Sequence, residues 1–257
     1  MSKVKGIILA GGNGTRLRPM TDLISKQLLP VYNKPMIFYP FTVLLQAGIK
    51  DILIITKPHE KEDFYKLLGN GKKFGVNIEY INQEKPNGIA EAFILAEEWL
   101  GGARSLLILG DNLFFGLGLK KLLKRVIRKK DGATIFAYQV SDPERYGVVT
   151  FNKDLKINSI KEKPKRTKSK WAVTGLYYYD EKVTKLVKKL KPSKRGELEI
   201  TDLNNLYLKS KKINLELLGK GFAWLDTGTP DSLLEASNFV KIIETRQGLP
   251  IGNPSRD

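Results

Sequence analysis

The 257-residue sequence contains no cysteine. Disulfide frameworks, zinc sites built on thiolates, iron–sulfur clusters and cysteine nucleophiles are therefore all excluded. A chain without cysteine is compatible with a reducing compartment, and we expect a cytoplasmic protein.

Histidine and long apolar runs are almost as scarce. His59 is the only histidine, so sites built from several histidines are impossible, and its context near a helix start favours an ordinary surface residue. No run reaches the ~18 apolar residues of a membrane span, and the apolar run at the N-terminus is too short for a signal peptide. We expect no membrane partner.

Acidic residues are outnumbered, because 44 lysines and arginines face 27 aspartates and glutamates and give a formal net charge of +17. The positive electrostatic field of such a chain attracts nucleic acid, anionic membranes or phosphorylated small molecules. The net charge alone does not choose among them. Part of it follows one side of an amphipathic pattern over residues 119–128, which is typical of a solvated helix face. No nucleic-acid-binding motif accompanies the charge, so we predict no nucleic-acid partner.

Apolar strand patterns alternate with helical patterns as far as about residue 130, which predicts an α/β fold with a Rossmann-like, mostly parallel sheet flanked by helices. Ligands of such sheets bind at the carboxyl ends of the strands. Closely spaced strand patterns after Asp131 predict an antiparallel insertion. The last strand, GFAWLDTG, is expected to rejoin the first sheet, and a helix follows it at about 229–246. The chain is predicted to form one continuous domain.

A glycine-rich loop, LAGGNGTRLRP, follows the first strand directly. Gly11, Gly12 and Gly14 allow backbone amides to approach a polyanion, Thr15 adds a hydroxyl, and Arg16 offers two parallel donors to a phosphate. The loop matches neither the Walker nor the Rossmann spacing. A simple tight connection is the alternative, but glycines beside arginines favour phosphate binding.

This loop and the downstream SKQLLP resemble the signature of the sugar-1-phosphate nucleotidylyltransferases. LGDNLFFG, DPERYGVV, EKP, AVTGLYYYD, GELEITDLN and GFAWLDTGT stand in family order over about residues 5–248, and they are similar to the glucose-1-phosphate thymidylyltransferase branch. The resemblance implies magnesium-dependent transfer of a thymidylyl group from dTTP to glucose 1-phosphate, giving dTDP-glucose and pyrophosphate, for deoxysugars such as rhamnose. A uridylyltransferase using UTP, or another sugar-1-phosphate nucleotidylyltransferase, is the alternative.

The resemblance also implies roles for individual residues. It assigns the nucleotide to about residues 1–130 and the sugar to about residues 131–228, and a homo-oligomer (dimer or tetramer) is typical of the family. Catalytic roles fall to Arg16, Lys26 and Lys163, and metal binding to Asp111 and Asp226. The implied nucleotide contacts are Leu9, Gly11, Gly12, Gly14, Thr15, Arg16, Lys26, Gln27, Gln83, Pro86, Gly88 and Asp111. The implied sugar contacts are Asn112, Tyr146, Gly147, Glu162, Lys163, Val173, Thr174 and Trp224.

These roles are chemically reasonable, although plainer explanations exist. Carboxylates that end two strands, Asp111 and Asp226, suit Mg²⁺ if the strands are parallel neighbours, whereas isolated aspartates at such places often cap turns. The Gln83 amide matches an edge shared by thymine and uracil, so this contact does not separate dTTP from UTP. Residues such as Val173 and Trp224 are usually core residues in strands of this kind. Because a phosphate monoester is mostly anionic at neutral pH, the acceptor needs no general base.

Two features depart from the thymidylyltransferase branch. The printed sequence ends before the C-terminal helical extension typical of that branch, which leaves feedback inhibition by the end product open. Arg18 stands where relatives commonly carry an aromatic residue, and it adds charge to the phosphate loop. A non-catalytic sensor of sugar nucleotides is a further alternative, but such relatives usually lose the loop or the metal aspartates that this chain retains.

Overall fold

A computed structural model describes residues 3–255 of the chain. Within that range the strands are β1 (Val4–Leu9), β2 (Pro30–Val31), β3 (Lys34–Pro35), β4 (Asp51–Thr56), β5 (Asn77–Asn82), β6 (Arg104–Leu109), β7 (Asn112–Gly116), β8 (Ala133–Gln139), β9 (Gly147–Phe151), β10 (Ile157–Glu162), β11 (Trp171–Tyr179), β12 (Ile213–Leu218) and β13 (Phe222–Asp226). The α-helices are α1 (Phe38–Gln46), α2 (Lys61–Leu68), α3 (Ala92–Leu95), α4 (Glu97–Leu100), α5 (Leu119–Val126), α6 (Val183–Val187), α7 (Ile200–Lys209) and α8 (Pro230–Gln247). The predicted α/β class with a mostly parallel sheet is confirmed, and none of these helices is long and apolar enough to cross a membrane.

The chain folds into two compact units, each assembled from separate segments. The glycine-loop unit comprises residues 6–86, 108–124 and the chain from Ala223 on. The antiparallel unit comprises residues 87–107, 125–222 and the chain up to Lys5.

Parallel strands form the centre of the glycine-loop unit, where β4 pairs parallel with both β1 and β5. Ile7 of β1 pairs with Leu53 of β4, and both are fully buried. Strands whose residues are buried on both faces read as continuous apolar runs, and this explains GIIL and ILII in the sequence. The loops that follow β1, β4 and β5 therefore leave the carboxyl edge of one parallel sheet.

A second apolar cluster lies in the same unit and fixes the loop after β1. Leu17 is completely buried in a group that also includes Met36, Tyr39, Leu113 and Val240. Burying a leucine side chain contributes about 1.5–3 kcal/mol. The loop is thus anchored at Leu17, one residue after Arg16.

In the antiparallel unit, β11 pairs antiparallel with both β8 and β9, and β9 pairs antiparallel with β10. The predicted antiparallel strands are therefore present. The strand β12, which the sequence patterns did not indicate, pairs parallel with β8 from Ile213↔Ala133 to Leu218↔Tyr138. Its alternation of exposed and buried residues is short and weak, so tertiary pairing rather than pattern decides it.

One expectation on secondary structure was wrong. The strand GFAWLD does not rejoin the first sheet, because β13 pairs with β7 in a separate two-stranded sheet. The segment NLFFG, which follows the Gly110–Asp111 turn, forms β7 and supplies that pairing edge. The helix α1 begins at Phe38, after the short strand β3 at Lys34–Pro35. The helices α3 and α4 are separated at Ala96.

Gly132 packs closely against the backbone of Lys212. Gly132 has φ +83°, and a Cβ there would lie 2.4 Å from the carbonyl oxygen of Lys212. Gly132→Ala should lower the free energy of unfolding by about 2–4 kcal/mol, because strain and overlap with rigid backbone add together. Gly102, with φ +77° and nothing within 4 Å of its Cβ position, is the matched control. Gly102→Ala should cost only about 1 kcal/mol in the same denaturant titration, and equal costs would contradict the packing argument.

Candidate active site

The loop after β1 is held in a fixed shape by its own backbone. Gly14 has φ +62° and precedes the 3₁₀ turn Thr15–Leu17, whose Leu17 N–H donates to the Gly14 carbonyl at 2.9 Å. The Thr21 hydroxyl donates to the same carbonyl at 2.8 Å. A left-handed conformation is accessible to glycine at little cost, so Gly14 is required by the turn itself.

Arg16 is exposed, and its guanidinium lies over the turn that follows β13. A Cβ placed on Gly228 would come within 2.8 Å of Arg16 Nη2. The anchoring of Leu17 therefore directs Arg16 toward the end of the strand that carries Asp226. A planar guanidinium at this position can donate two parallel hydrogen bonds to a phosphate.

Asp111 lies in the turn between β6 and β7, beside the start of the glycine-rich loop. The Gly110 N–H donates to the Leu9 carbonyl at 2.9 Å, and a Cβ on Gly110 would lie only 3.0 Å from that oxygen. Because glycine permits this close approach, the Asp111 turn is joined to the end of β1.

The carboxylate of Asp111 forms an ion pair with the ammonium of Lys26. Its other oxygen, Oδ1, accepts a hydrogen bond from Asn112 Nδ2 at 3.0 Å. Burial raises the pKa of Asp111, but the Lys26 ammonium and the Asn112 amide lower it by more, so the pKa lies below its ordinary value. Asp111 is therefore ionised at neutral pH.

Asn112 and Trp224 form a support behind this ion pair. The indole Nε1–H of Trp224 donates to Asn112 Oδ1 at 2.6 Å, and Trp224 is 7% exposed. This bond orients the amide so that its NH₂ group faces Asp111. Both residues were predicted sugar contacts, and in the structure each makes an internal bond.

The backbone next to Asp226 adjoins Asp111. The N–H of Thr227 donates to the Asp111 carbonyl at 3.0 Å, and the Thr227 hydroxyl donates to the same oxygen at 2.8 Å. The result is a backbone contact between the two turns that carry the aspartates. Its cause is the pairing of β7 with β13, and not the parallel neighbourhood that the sequence suggested.

Further predicted nucleotide contacts take different positions around the loop. Gln83 is 3% exposed and packs against Gly11, while Gln27 is 1% exposed and its Oε1 accepts from the Ser25 hydroxyl at 2.8 Å. Leu9 is half-buried, and Thr15 and Pro86 are exposed. Gly88 belongs to the antiparallel unit, where its φ of +111° and the Leu198 carbonyl, 2.4 Å from its Cβ position, require glycine for packing.

In the antiparallel unit the predicted sugar residue Gly147 lies beside Glu162. The Thr201 hydroxyl donates to Glu162 Oε2 at 2.6 Å, and a Cβ on Gly147 would lie 3.4 Å from the same oxygen. The Cβ of Val173 lies 3.8 Å from this Cβ position on Gly147. Glu162 is the last residue of β10, and Lys163, exposed with φ +38°, no longer belongs to the strand. The strand therefore ends between these two neighbours.

Two predicted sugar residues have structural surroundings. Thr174 is completely buried and its hydroxyl donates to the Phe136 carbonyl at 3.1 Å, which is the pattern of a core residue. Tyr146 is half-buried, with Arg145 stacked over its ring and its carbonyl accepting from the Lys163 N–H at 3.0 Å. Their sugar-binding roles stay predictions.

The sequence did not indicate Arg195 or Thr201 as neighbours of Glu162. Arg195 Nη2 lies 3.5 Å from Glu162 Oε1 and 2.9 Å from Glu199 Oε2. Both Arg195 and Thr201 are more than thirty positions away from Glu162 in the chain. No local spacing could join them, and only the fold of the unit does so.

Any metal held by this chain would have few protein ligands. Among residues 3–255, no group of three or more histidine, aspartate or glutamate side chains is arranged to hold a metal ion. Mg²⁺ is commonly bound by one or two carboxylates, with substrate phosphates and water completing its shell. Two carboxylates such as those of Asp111 and Asp226 would suffice for such a site, and the described residues contain no closed metal site.

Comparisons with known proteins identify the family of the chain. The family model described as nucleotidyl transferase matches residues 5–242. Glucose-1-phosphate thymidylyltransferases of Neisseria meningitidis and Mycolicibacterium smegmatis are 55% and 52% identical, over 96% and 98% of this chain and 86% and 87% of their own.

Solved structures show the same similarity. A Bacillus anthracis protein assigned as a glucose-1-phosphate thymidylyltransferase, crystallised with sucrose, aligns with a TM-score of 0.85 at 45% identity and covers 92% of this chain and 94% of its own. A UDP-glucose pyrophosphorylase in complex with UDP-glucose aligns with a TM-score of 0.82 at 24% identity, over 94% of this chain and 99% of its own. The second similarity shows the fold alone.

The side chain of Gln83 packs closely against Gly11. A Cβ on Gly11 would lie 2.2 Å from Gln83 Oε1, whereas one on Gly12 would meet nothing closer than 3.7 Å. Gly11→Ala should lower the free energy of unfolding by about 1–3 kcal/mol, because the buried amide must shift. Gly12→Ala, its neighbour in the same loop, should cost less in the same urea titration. A larger cost for Gly12→Ala would show that Gln83 does not set the constraint.

Proposed function

Because this chain belongs to the nucleotidyl transferase family, we propose that it transfers the thymidylyl group of dTTP to glucose 1-phosphate, giving dTDP-glucose and pyrophosphate. The observation that carries the proposal is the Lys26–Asp111 ion pair beside the glycine-rich loop, in a chain whose thymidylyltransferase relatives are 46–55% identical. Family members generally use a divalent metal, and we propose Mg²⁺.

In the proposed reaction a phosphate oxygen of glucose 1-phosphate attacks the α-phosphorus of dTTP. One phosphorus–oxygen bond forms, the bond from the α-phosphorus to the bridging oxygen of the β-phosphate breaks, and pyrophosphate leaves with the electron pair. The attacking monoester is largely a dianion at neutral pH. The chain therefore supplies positioning and charge rather than a general base.

Residues of the glycine-loop unit are assigned to the triphosphate. The amides of the loop would bind phosphate oxygens, and Arg16 would stabilise the charge that develops on pyrophosphate. Lys26 would lie on the reacting phosphates. Asp111 and Asp226 would hold Mg²⁺, which when bound neutralises phosphate charge.

Residues of the antiparallel unit are assigned to the sugar phosphate. Glu162 would accept hydrogen bonds from sugar hydroxyls, and Lys163 would contribute charge toward the phosphate. The exposed, left-handed Lys163 and the half-buried Glu162 at the strand end support this division of roles. The cytoplasmic location and the homo-oligomer stay predictions.

Nucleotide choice tests the proposal directly. Purified enzyme with Mg²⁺ and glucose 1-phosphate should release pyrophosphate faster with dTTP than with UTP, CTP, ATP or GTP, as measured by kcat/KM for each. Because Gln83 can pair with the edge that thymine and uracil share, measurable activity with UTP is compatible with the proposal. A large preference for UTP would instead assign the chain to the uridylyltransferases.

Removing one proposed metal ligand tests the roles of the aspartates. Asp226→Asn should lower kcat about a hundredfold or more, because the metal acts mainly on charge that develops in the transition state, while sugar-phosphate binding changes little. Asp231→Asn, an exposed acidic residue in the first turn of α8, provides the control and should retain turnover. Wild-type kcat of Asp226→Asn at saturating Mg²⁺ would remove Asp226 from the metal site.

A further inference from the structure

Lys26 lies between Asp111, a proposed metal ligand, and the glycine-rich loop that is proposed to bind phosphate. Its ammonium pairs with Asp111, and on the other side a Cβ placed on Gly12 would lie 3.9 Å from Lys26 Nζ and 3.7 Å from its Cε. The same ammonium is thus in contact with a proposed metal ligand and adjacent to the proposed phosphate loop. All of these residues belong to the glycine-loop unit.

Both oxygens of the Asp111 carboxylate already have partners. Oδ2 accepts from Lys26, and Oδ1 accepts from Asn112, whose amide is oriented by Trp224. The side chains of Lys26 and Asp111 are only 13% and 15% exposed. A carboxylate so poorly hydrated needs a positive neighbour, since burying an unpaired charge is costly.

The protein offers a divalent cation little that could displace this lysine. Among the described residues, no third acidic or histidine side chain joins a metal-holding group here. A cation that binds to the free enzyme must therefore share Asp111 with an ammonium or remove it. Phosphate oxygens bound on the loop would change this balance, because they offer Lys26 another anionic partner.

On the basis of the proposed function, we propose that Lys26 is a resident counter-ion of Asp111 that must transfer to the nucleotide phosphates before Asp111 can bind the divalent cation. In the free enzyme Lys26 keeps the metal affinity low. When a triphosphate occupies the loop, the ammonium moves onto its oxygens and Asp111 becomes available. The lysine thereby couples metal binding to nucleotide binding and limits metal binding without substrate.

This arrangement requires positive coupling between the two ligands. Whatever the nucleotide does to the affinity for the metal, the metal must do to the affinity for the nucleotide, because the coupling free energy is reciprocal. A substitution that removes the ammonium should raise the metal affinity of the free enzyme and weaken the coupling. A substitution that keeps the charge should preserve both.

The experiment is a titration of the nucleotide-free, full-length enzyme with Mn²⁺, in which electron paramagnetic resonance counts the unbound ion. Lys26→Met should bind Mn²⁺ at least about fivefold more tightly than the wild type, and Lys26→Arg should remain weak. Lys57→Met provides the matched control. Lys57 is also paired with a carboxylate of the same unit, Glu60, at 3.1 Å, so its removal tests the effect of charge alone.

The double variant Lys26→Met with Asp111→Asn locates the gain. It should lose the tighter Mn²⁺ binding, since the ligand released by the first substitution is removed by the second. Unchanged Mn²⁺ affinity in Lys26→Met, or an equal gain in Lys57→Met, would overturn the proposal. Circular dichroism of each variant establishes that it is folded.

A structure of the wild type avoids substitutions altogether. Crystals grown with Mn²⁺ and dTTP but without glucose 1-phosphate should show Lys26 Nζ on phosphate oxygens and no longer paired with Asp111. An intact Lys26–Asp111 pair in that complex would refute the transfer. The Mn²⁺ titrations use the nucleotide-free enzyme and do not depend on turnover, so they remain interpretable even if dTTP and glucose 1-phosphate are not the substrates.

Discussion

The buried charge of Asp111 is the constraint around which the glycine-loop unit is organised. Its carboxylate is poorly hydrated and ionised, and an ionised group in such surroundings must be neutralised and fully hydrogen-bonded. Lys26 meets the first requirement, and Asn112, held by Trp224, meets the second. The loop, the Lys26 turn and the β7–β13 pair come together at this one side chain.

Backbone contacts also join the segments around Asp111. Gly110 permits the end of β6 to approach the end of β1, and Thr227 attaches the end of β13 to the carbonyl of Asp111. Leu17 anchors the glycine-rich loop in an apolar cluster, and this packing positions the neighbouring Arg16. Groups preorganised in this way lose little further freedom when a charged ligand arrives, which is a general requirement of electrostatic catalysis.

Sequence patterns and the family resemblance together named many residues of the candidate site. The strand-loop order identified the glycine-rich loop, and the resemblance named Lys26, Asp111 and Glu162. Neither indicated Arg195 or Thr201, because only the fold of the antiparallel unit brings these two residues next to Glu162. The resemblance also gave Thr174 and Gly88 ligand roles where the structure shows a buried hydroxyl with a backbone partner and a glycine required by Leu198.

Local chemistry is what the sequence by itself determined. Glycines allow left-handed turns, apolar runs make buried strands, and the absence of cysteine excludes whole classes of site, and each of these depends on neighbouring residues or on composition. Only the tertiary structure decided that β13 pairs with β7 and that Lys26 meets Asp111, 85 positions away. Such contacts depend on how strands exchange partners and how buried charges are neutralised, and neither has a signature in local spacing.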